Sequence, residues 1–313
     1  MVKEFRQPRC RVSHRRCSTL RRFASASLAR PPPPPSTVSH CTNSEGGDCA
    51  YEAVLQVESH DGGYSWAPSG GGAPPSNLVA MTPLTYEYVR DNYNHSEAGF
   101  GDPSTIVRGR GGDAGHYYVL ISVSSPPIGI NGWAFAQQRG QCLLRTATPL
   151  DHTSWRAWDG ADFTVKFANP YAEVIANASA HVCAVVNTSM ILVSLSWSTR
   201  FDAWLASGFG SYTFQNGTRI PCCGAFLYSI SSDLVNWGPP QLVRPAKQEG
   251  LFADWEYDGV FLDDQAGARG LRNWHDELGS EFYFYYWRAE PDRDPRARSV
   301  YRQKVTLPRA APN

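Results

Sequence analysis

Short runs of apolar, β-branched and aromatic residues, bounded by polar and glycine turns, recur along most of the chain. Tyr51 to Val57 alternates and stops at the turn Asp61-Gly62-Gly63. Similar runs cover Asp102 to Arg108, His116 to Val123, Cys142 to Thr146, Phe163 to Phe167, Met190 to Trp197 and Ala203 to Ser207. Others follow at Phe226 to Ile230, Gln241 to Arg244, Tyr257 to Leu262, Phe282 to Trp287 and Val300 to Leu307. No segment keeps an apolar stripe at helical spacing over three turns. Many aromatic residues, 27 Gly and 23 Pro agree with short strands joined by turns. The pattern predicts an all-β fold: a sandwich, a barrel or a propeller.

A repeat separates these. Ser59-His60-Asp61-Gly62-Gly63-Tyr64-Ser65-Trp66 fits S-x-D-x-G-x-[TS]-W. Degenerate copies run from Ser229 through Asp233 to Trp237 and from Arg145 through Asp151 to Trp155. Each copy follows a strand, and the later two precede another. Repeated strand–turn–Trp units predict a β-propeller of four-stranded antiparallel blades. The Asp of each copy is expected to bond its own turn amides while the Trp packs beneath. These residues therefore hold hairpins and do not touch substrate.

Composition adds a division. The 313 residues carry 29 basic and 29 acidic side chains, yet residues 1–30 hold nine basic residues and one acid, Glu4. The remainder has 20 basic and 28 acidic residues, and an acidic body argues against nucleic acid as a partner. No apolar run approaches the ~20 residues of a membrane-spanning helix, which excludes an integral membrane protein. The Arg-rich head runs into Pro31 to Pro35 and cannot bury a core. The expected organisation is a disordered head at 1–40, a propeller domain at 41–308 and a tail at 309–313. The head has the composition of an organelle transit peptide, of an ordinary disordered tail, or of a wrongly chosen start, and it lacks the apolar region of a secretory signal. Eight cysteines and four sequons, at Asn94, Asn177, Asn187 and Asn216, point instead to secretion. Cys41 and Cys49 could close a small loop, whereas Cys222 and Cys223 would each need a distant partner. No closely spaced Cys/His ligand pairs, phosphate loop, dinucleotide fingerprint or G-x-S-x-G elbow occurs, so neither metal nor organic cofactor is expected.

These residues carry a resemblance. Asp61 to Trp66 resembles the Asp-box of sialidases. The copy ending at Trp237 resembles a hairpin of five-bladed glycoside hydrolases such as arabinanases, β-xylosidases and invertases. Gly101-Asp102-Pro103-Ser104, followed by Gly115 to Leu120, is similar to the opening of a blade in those enzymes. The likeness extends to a little-characterised group of secreted five-bladed propellers through Asp61 to Trp66, Asn77 to Ala80 and Ser154 to Gly160. It covers about residues 41–307 and implies a five-bladed ring, a carbohydrate partner and two-carboxylate glycoside hydrolysis. Residues 51–80, 100–167, 181–244 and 256–307 supply about three and a half blades. Either the chain is truncated before Cys41, or the ring closes with four.

By the same resemblance Asp102 is the base or a pKa-tuning acid. Glu256 and Asp258 start the innermost strand of the last blade, flanked by Trp255 and Tyr257. Such aromatics stack sugar rings and raise an acid's pKa by desolvation. His181 precedes the third inner strand and is expected on the funnel wall, and Glu97 lies in the loop before Asp102. First strands line a propeller's axis, so Asp102 is expected to converge with Glu256 or Asp258. The separation would be about 5–5.5 Å for a retaining enzyme or 6.5–9.5 Å for an inverting one. The second reading is a glycan-binding or structural propeller without catalysis. The sugar, the linkage and the oligomeric state stay open.

Overall fold

The computed structural model describes residues 20–27, 50–61, 64–69, 77–85, 97–124, 137–246, 256–263, 276–289 and 298–307. Among these the fold is all-β. Helical structure is confined to single turns at Gly111–Asp113, His152–Ser154 and Ala178–His181. None is long and apolar enough to cross a membrane. The chain divides into two compact units, residues 1–103 with 112–185 and residues 104–111 with 186–313.

The first unit is built around β2 (Ala50–Ser59). Strand β1 (Leu20–Ser27) pairs antiparallel along one edge of β2, from Leu20 opposite Ser59 to Ser27 opposite Glu52. These eight residues of the head, expected to be disordered, are placed as a strand along β2. An edge strand presents unpaired amides and carbonyls, and the run before the prolines can meet them. Three short strands share the other edge of β2: β3 (Ala67–Pro68), β4 (Leu78–Ala80) and β5 (Glu97–Gly101). Strand β5 runs parallel to β2, a departure from purely antiparallel blades. Its other edge leads into β7 (Tyr117–Ser124), then β8 (Gly140–Thr146), β9 (Arg156–Trp158) and β10 (Phe163–Val165), each antiparallel to the last. Phe100, Leu120, Ile121, Leu143 and Leu144 are fully buried in this unit. Burial of each is worth about 1.5–3 kcal/mol.

A disulfide joins Cys142, at the centre of β8, to Cys183, with 5.8 Å between Cα atoms. Gln137 holds the loop end from both sides. Its Oε1 accepts from the Cys183 amide at 2.9 Å and its Nε2 donates to the Cys183 carbonyl at 3.3 Å. Cys41 and Cys49, and the side chains of Cys222 and Cys223, lie outside the described residues.

In the second unit β11 (Ile191–Ser198), β12 (Ala203–Thr213), β13 (Arg219–Ser231) and β14 (Gln241–Pro245) form an antiparallel meander in chain order. Four of the five strands of this sheet follow one another in the chain. Strand β16 (Glu277–Leu278) adds a short parallel pair at the β11 edge. A second sheet orders β15 (Glu256–Leu262), β17 (Glu281–Ala289) and β18 (Arg298–Thr306), all antiparallel. Leu205, Phe226, Phe261, Leu278, Phe282, Phe284 and Leu307 form the core between the two sheets.

One expected strand is corrected. Asp102 to Arg108 does not run extended: β5 ends at Gly101 and only β6 (Val107–Arg108) is strand. Asp102 adopts a left-handed φ of 42°, and Pro103 has no amide to donate to a ladder. Residues 104–111 instead lie in the second unit. There the Thr105 hydroxyl donates to the Leu195 carbonyl at 2.8 Å and accepts from the Leu195 amide at 2.7 Å. Arg110 pairs with Glu277 at 3.2 Å and lies over the Trp197 ring.

Candidate functional site

The three Asp–Trp turns are locally closed. Asp61 Oδ1 accepts from the amides of Tyr64 and Ser65, both at 2.9 Å, and Ser65 Oγ donates to Oδ2 at 2.6 Å. The Ser65 hydroxyl, then its amide, holds the Asp61 carboxyl well below the ordinary carboxylate range. Asp151 accepts from the hydroxyl and amide of Thr153 at 2.7 and 2.9 Å, and these two bonds lower its pKa. At Asp233 burial pushes upward. Bonds from the amide and side chain of Asn236, the Val235 amide and Ser231 outweigh it and leave the group below its ordinary value. Trp155 and Trp237 are buried, with indole N–H groups donating to Gln56 Oε1 and the Leu234 carbonyl, whereas Trp66 is half-buried. In the second unit the Trp237 turn joins the third and fourth strands of the meander. These carboxylates are committed to backbone.

Asp102 is different. It is exposed, directly follows β5 and keeps a backbone conformation that a non-glycine residue rarely adopts. The parallel β2–β5 pair brings a second carboxylate to the same strand end. Glu52 lies opposite Gly99, and a Cβ added to Gly101 would meet Glu52 Oε2 at 2.6 Å. Gly99, with φ +123°, admits no side chain either, because a Cβ there would lie 2.1 Å from the Glu52 carbonyl oxygen. Both glycines are needed to seat Glu52 against the end of β5. Sequence reasoning misses Glu52, whose only signal is its place in an alternating strand.

His181 ends the Ala178–His181 turn in the first unit. Its Nδ1 bonds the Lys166 carbonyl at 2.7 Å. A carbonyl only accepts, so Nδ1 carries a proton. Glu97 begins β5 opposite Ala50, so it belongs to a strand and not to a loop. Glu256 and Tyr257 open β15 opposite Arg288 and Trp287, and the register slips between Tyr257 and Gly259, which puts Asp258 at a bulge. The side chains of Glu97, Glu256, Tyr257 and Asp258, and the whole of Trp255, lie outside the described residues.

Within the second unit hydrogen bonds define one edge. Phe261 N and Ser194 Oγ meet at 3.5 Å near the middle of β11, and Asp263, after β15, accepts from Gly279 beside the end of β11. Strands β11 and β15 therefore run the same way and begin at one edge. The β12–β13 hairpin overhangs this edge, since β11 starts opposite Phe209 while β12 continues to Thr213. Tyr212 and Phe214 meet edge to face on the overhang at 5.3 Å. The sequence hints at them through three aromatic residues within six positions, Phe209, Tyr212 and Phe214.

A further polar cluster is satisfied internally. Arg145 pairs with Asp162 at 3.2 Å and covers the Phe163 ring at 4.2 Å. Burial, then the Asp113 charge, pushes the Tyr118 phenol up to about 12, so it stays protonated. No group of three or more His, Cys, Asp or Glu side chains that could hold a metal ion occurs among the described residues.

No protein-family model matches the chain, and no curated protein does. Among solved structures it is similar to a complex of BT0996 with RGII, at 13% identity and TM-score 0.40 over 83% of this chain. A glycoside hydrolase follows at 12% and 0.39, again over 83%. An N-acetylgalactosamine deacetylase from F. plautii, in complex with blood group B trisaccharide, matches at 10% and 0.38 over 87%. The match spans 63% of each of the first two proteins and 59% of the third. At such scores both the fold family and the chemistry have to be read from the chain itself.

Proposed function

We infer that this is a carbohydrate-active protein of β-propeller type that hydrolyses glycosidic bonds with Asp102 as the base. The observation that carries the reading is the backbone of Asp102. A left-handed non-glycine residue costs on the order of 1 kcal/mol or more, and such outliers cluster at active sites. The strain holds a carboxylate out into solvent at the end of β5, the strand against which Glu52 packs. In this reading Asp102 takes the proton of the attacking water, and a second carboxyl gives a proton to the leaving oxygen. Glu52 is the neighbour that supports the second role. Glu256 and Asp258 are retained as candidates for it, Glu97, Tyr257, Trp255 and His181 as substrate contacts. The test is release of reducing sugar from a panel of arabinans, xylans, galactans and fructans. Asp102→Asn should lower turnover by about 10²-fold or more with the melting temperature unchanged, because Asn tolerates the same backbone. Unchanged turnover would remove Asp102 from the chemistry.

One observation favours a binding module instead. Tyr283 and Tyr285 alternate with the buried Phe282 and Phe284 along β17, and Arg302 lies 4.7 Å over the Tyr283 ring. A half-buried aromatic row suits sugar stacking without catalysis. Glycan binding that survives Asp102→Asn, with no hydrolysis by the unaltered chain, would establish that reading.

A further inference from the structure

Beyond the reading above, and independent of it, we propose that Asn177 and Asn216 carry N-linked glycans. Both begin N-x-[ST] tripeptides, Asn177-Ala178-Ser179 and Asn216-Gly217-Thr218. Such tripeptides arise by chance, so geometry has to choose among them. Asn216 sits on the turn between β12 and β13, at the tip of the overhanging hairpin. The turn is closed by Phe214 N donating to the Thr218 carbonyl at 2.8 Å and Gly217 N donating to the Phe214 carbonyl at 2.9 Å. Asn216 is exposed, its Oδ1 accepts from the Thr218 amide at 3.0 Å, and a Cβ on Gly217 would meet nothing within 4 Å. Asn177 is equally exposed and caps the Ala178–His181 turn, with Oδ1 accepting from the Ser179 amide at 3.1 Å. The loop before it is open too, with Val174 98% exposed. In both, the carbonyl oxygen is taken by the residue's own turn, and no described chain atom takes Nδ2. Asn187 is exposed as well and differs only in its backbone. Its main chain is clamped between Val235 and Trp237 beside the β13–β14 turn.

The Cys142–Cys183 disulfide is an independent pointer to the compartment where this chemistry occurs, since such bonds form and persist under oxidising conditions. The co-reactant is a lipid-linked oligosaccharyl diphosphate. The Asn Nδ2 attacks the anomeric carbon and a C–N bond forms. The C–O bond to the diphosphate breaks, the lipid diphosphate leaves with the electron pair, and one amide proton passes to a base. Nothing is oxidised or reduced.

The test is peptide mapping of the full chain from a eukaryotic secretory host, treated with peptide N-glycosidase in ¹⁸O-water. Labelled Asp is expected at positions 177 and 216. Ser179→Ala and Thr218→Ala should each remove one glycan and keep the Asn, with circular dichroism showing the same fold. Unlabelled Asn at both positions in a sample whose Cys142–Cys183 bond is oxidised would overturn the proposal, as would label at 187 alone. A chain with both cysteines reduced and no glycan would overturn it as well.

Discussion

Asp102 and Asp233 show two opposite uses of one side chain. Asp233 gains stability from its turn, whereas Asp102 gives some up. Replacing Asp102 by Gly should relieve the left-handed backbone, raising stability by about 0.5–1 kcal/mol while abolishing hydrolysis. Paired thermal melts and activity assays would check this, and a fall in melting temperature would remove the strain from the account. For Asp233 the folded pKa lies below 3.8, so its contribution is present above that pH and is lost as pH falls through the folded value. Asp233→Asn should therefore cost on the order of 1 kcal/mol at pH 7, after allowance for solvent exposure, and less near pH 2. Melting temperatures of the two proteins across pH 2–7 should converge at the acid end. The Asp turns are legible in the sequence because their side chains act within a few residues. Glu52 is not, because it reaches the end of β5 only through a parallel pairing that no local pattern encodes.

Among the elements, those whose apolar and aromatic runs are unbroken by glycine are legible to within a few residues. They include His116 to Val123, observed as β7, and Met190 to Trp197, observed as β11. Two failures share a cause. β5 contains Gly99 and Gly101, and the part of β12 beyond Ser207 contains Gly208 and Gly210, so neither stretch reads as strand. Yet Gly208 is there because a Cβ would lie 2.0 Å from the Ile191 carbonyl oxygen, a close approach of strands rather than a bend. The disulfide is illegible for another reason, since eight cysteines allow many pairings. Its consequence is calculable. Cys142 and Cys183 are 41 residues apart, and closing such a loop in the unfolded chain is worth about 4 kcal/mol. Cys142→Ser with Cys183→Ser should lower stability by roughly 2–4 kcal/mol, read from urea midpoints with and without reductant. Reductant should lower the midpoint of the parent chain more than that of the double variant.

For the molecule as a whole the all-β class is legible, because short apolar and aromatic runs and turn residues recur throughout. The division into two units is not, because it depends on residues 104–111 leaving one unit for the other. Thr105 fastens that crossing segment with two hydrogen bonds to Leu195. Thr105→Val keeps the shape but leaves the Leu195 amide and carbonyl short of a partner, and should cost about 1–3 kcal/mol. Thr105→Ser should restore most of the loss, as denaturant titration would show. The fastening also has a consequence for biosynthesis. Thr105 emerges 90 residues ahead of Leu195. At about 5–20 residues per second, the segment waits roughly 5–20 s at the ribosome with its docking edge not yet made. The second unit therefore closes only after the chain has been largely synthesised, and through that interval residues 104–111 stand open to chaperones and proteases.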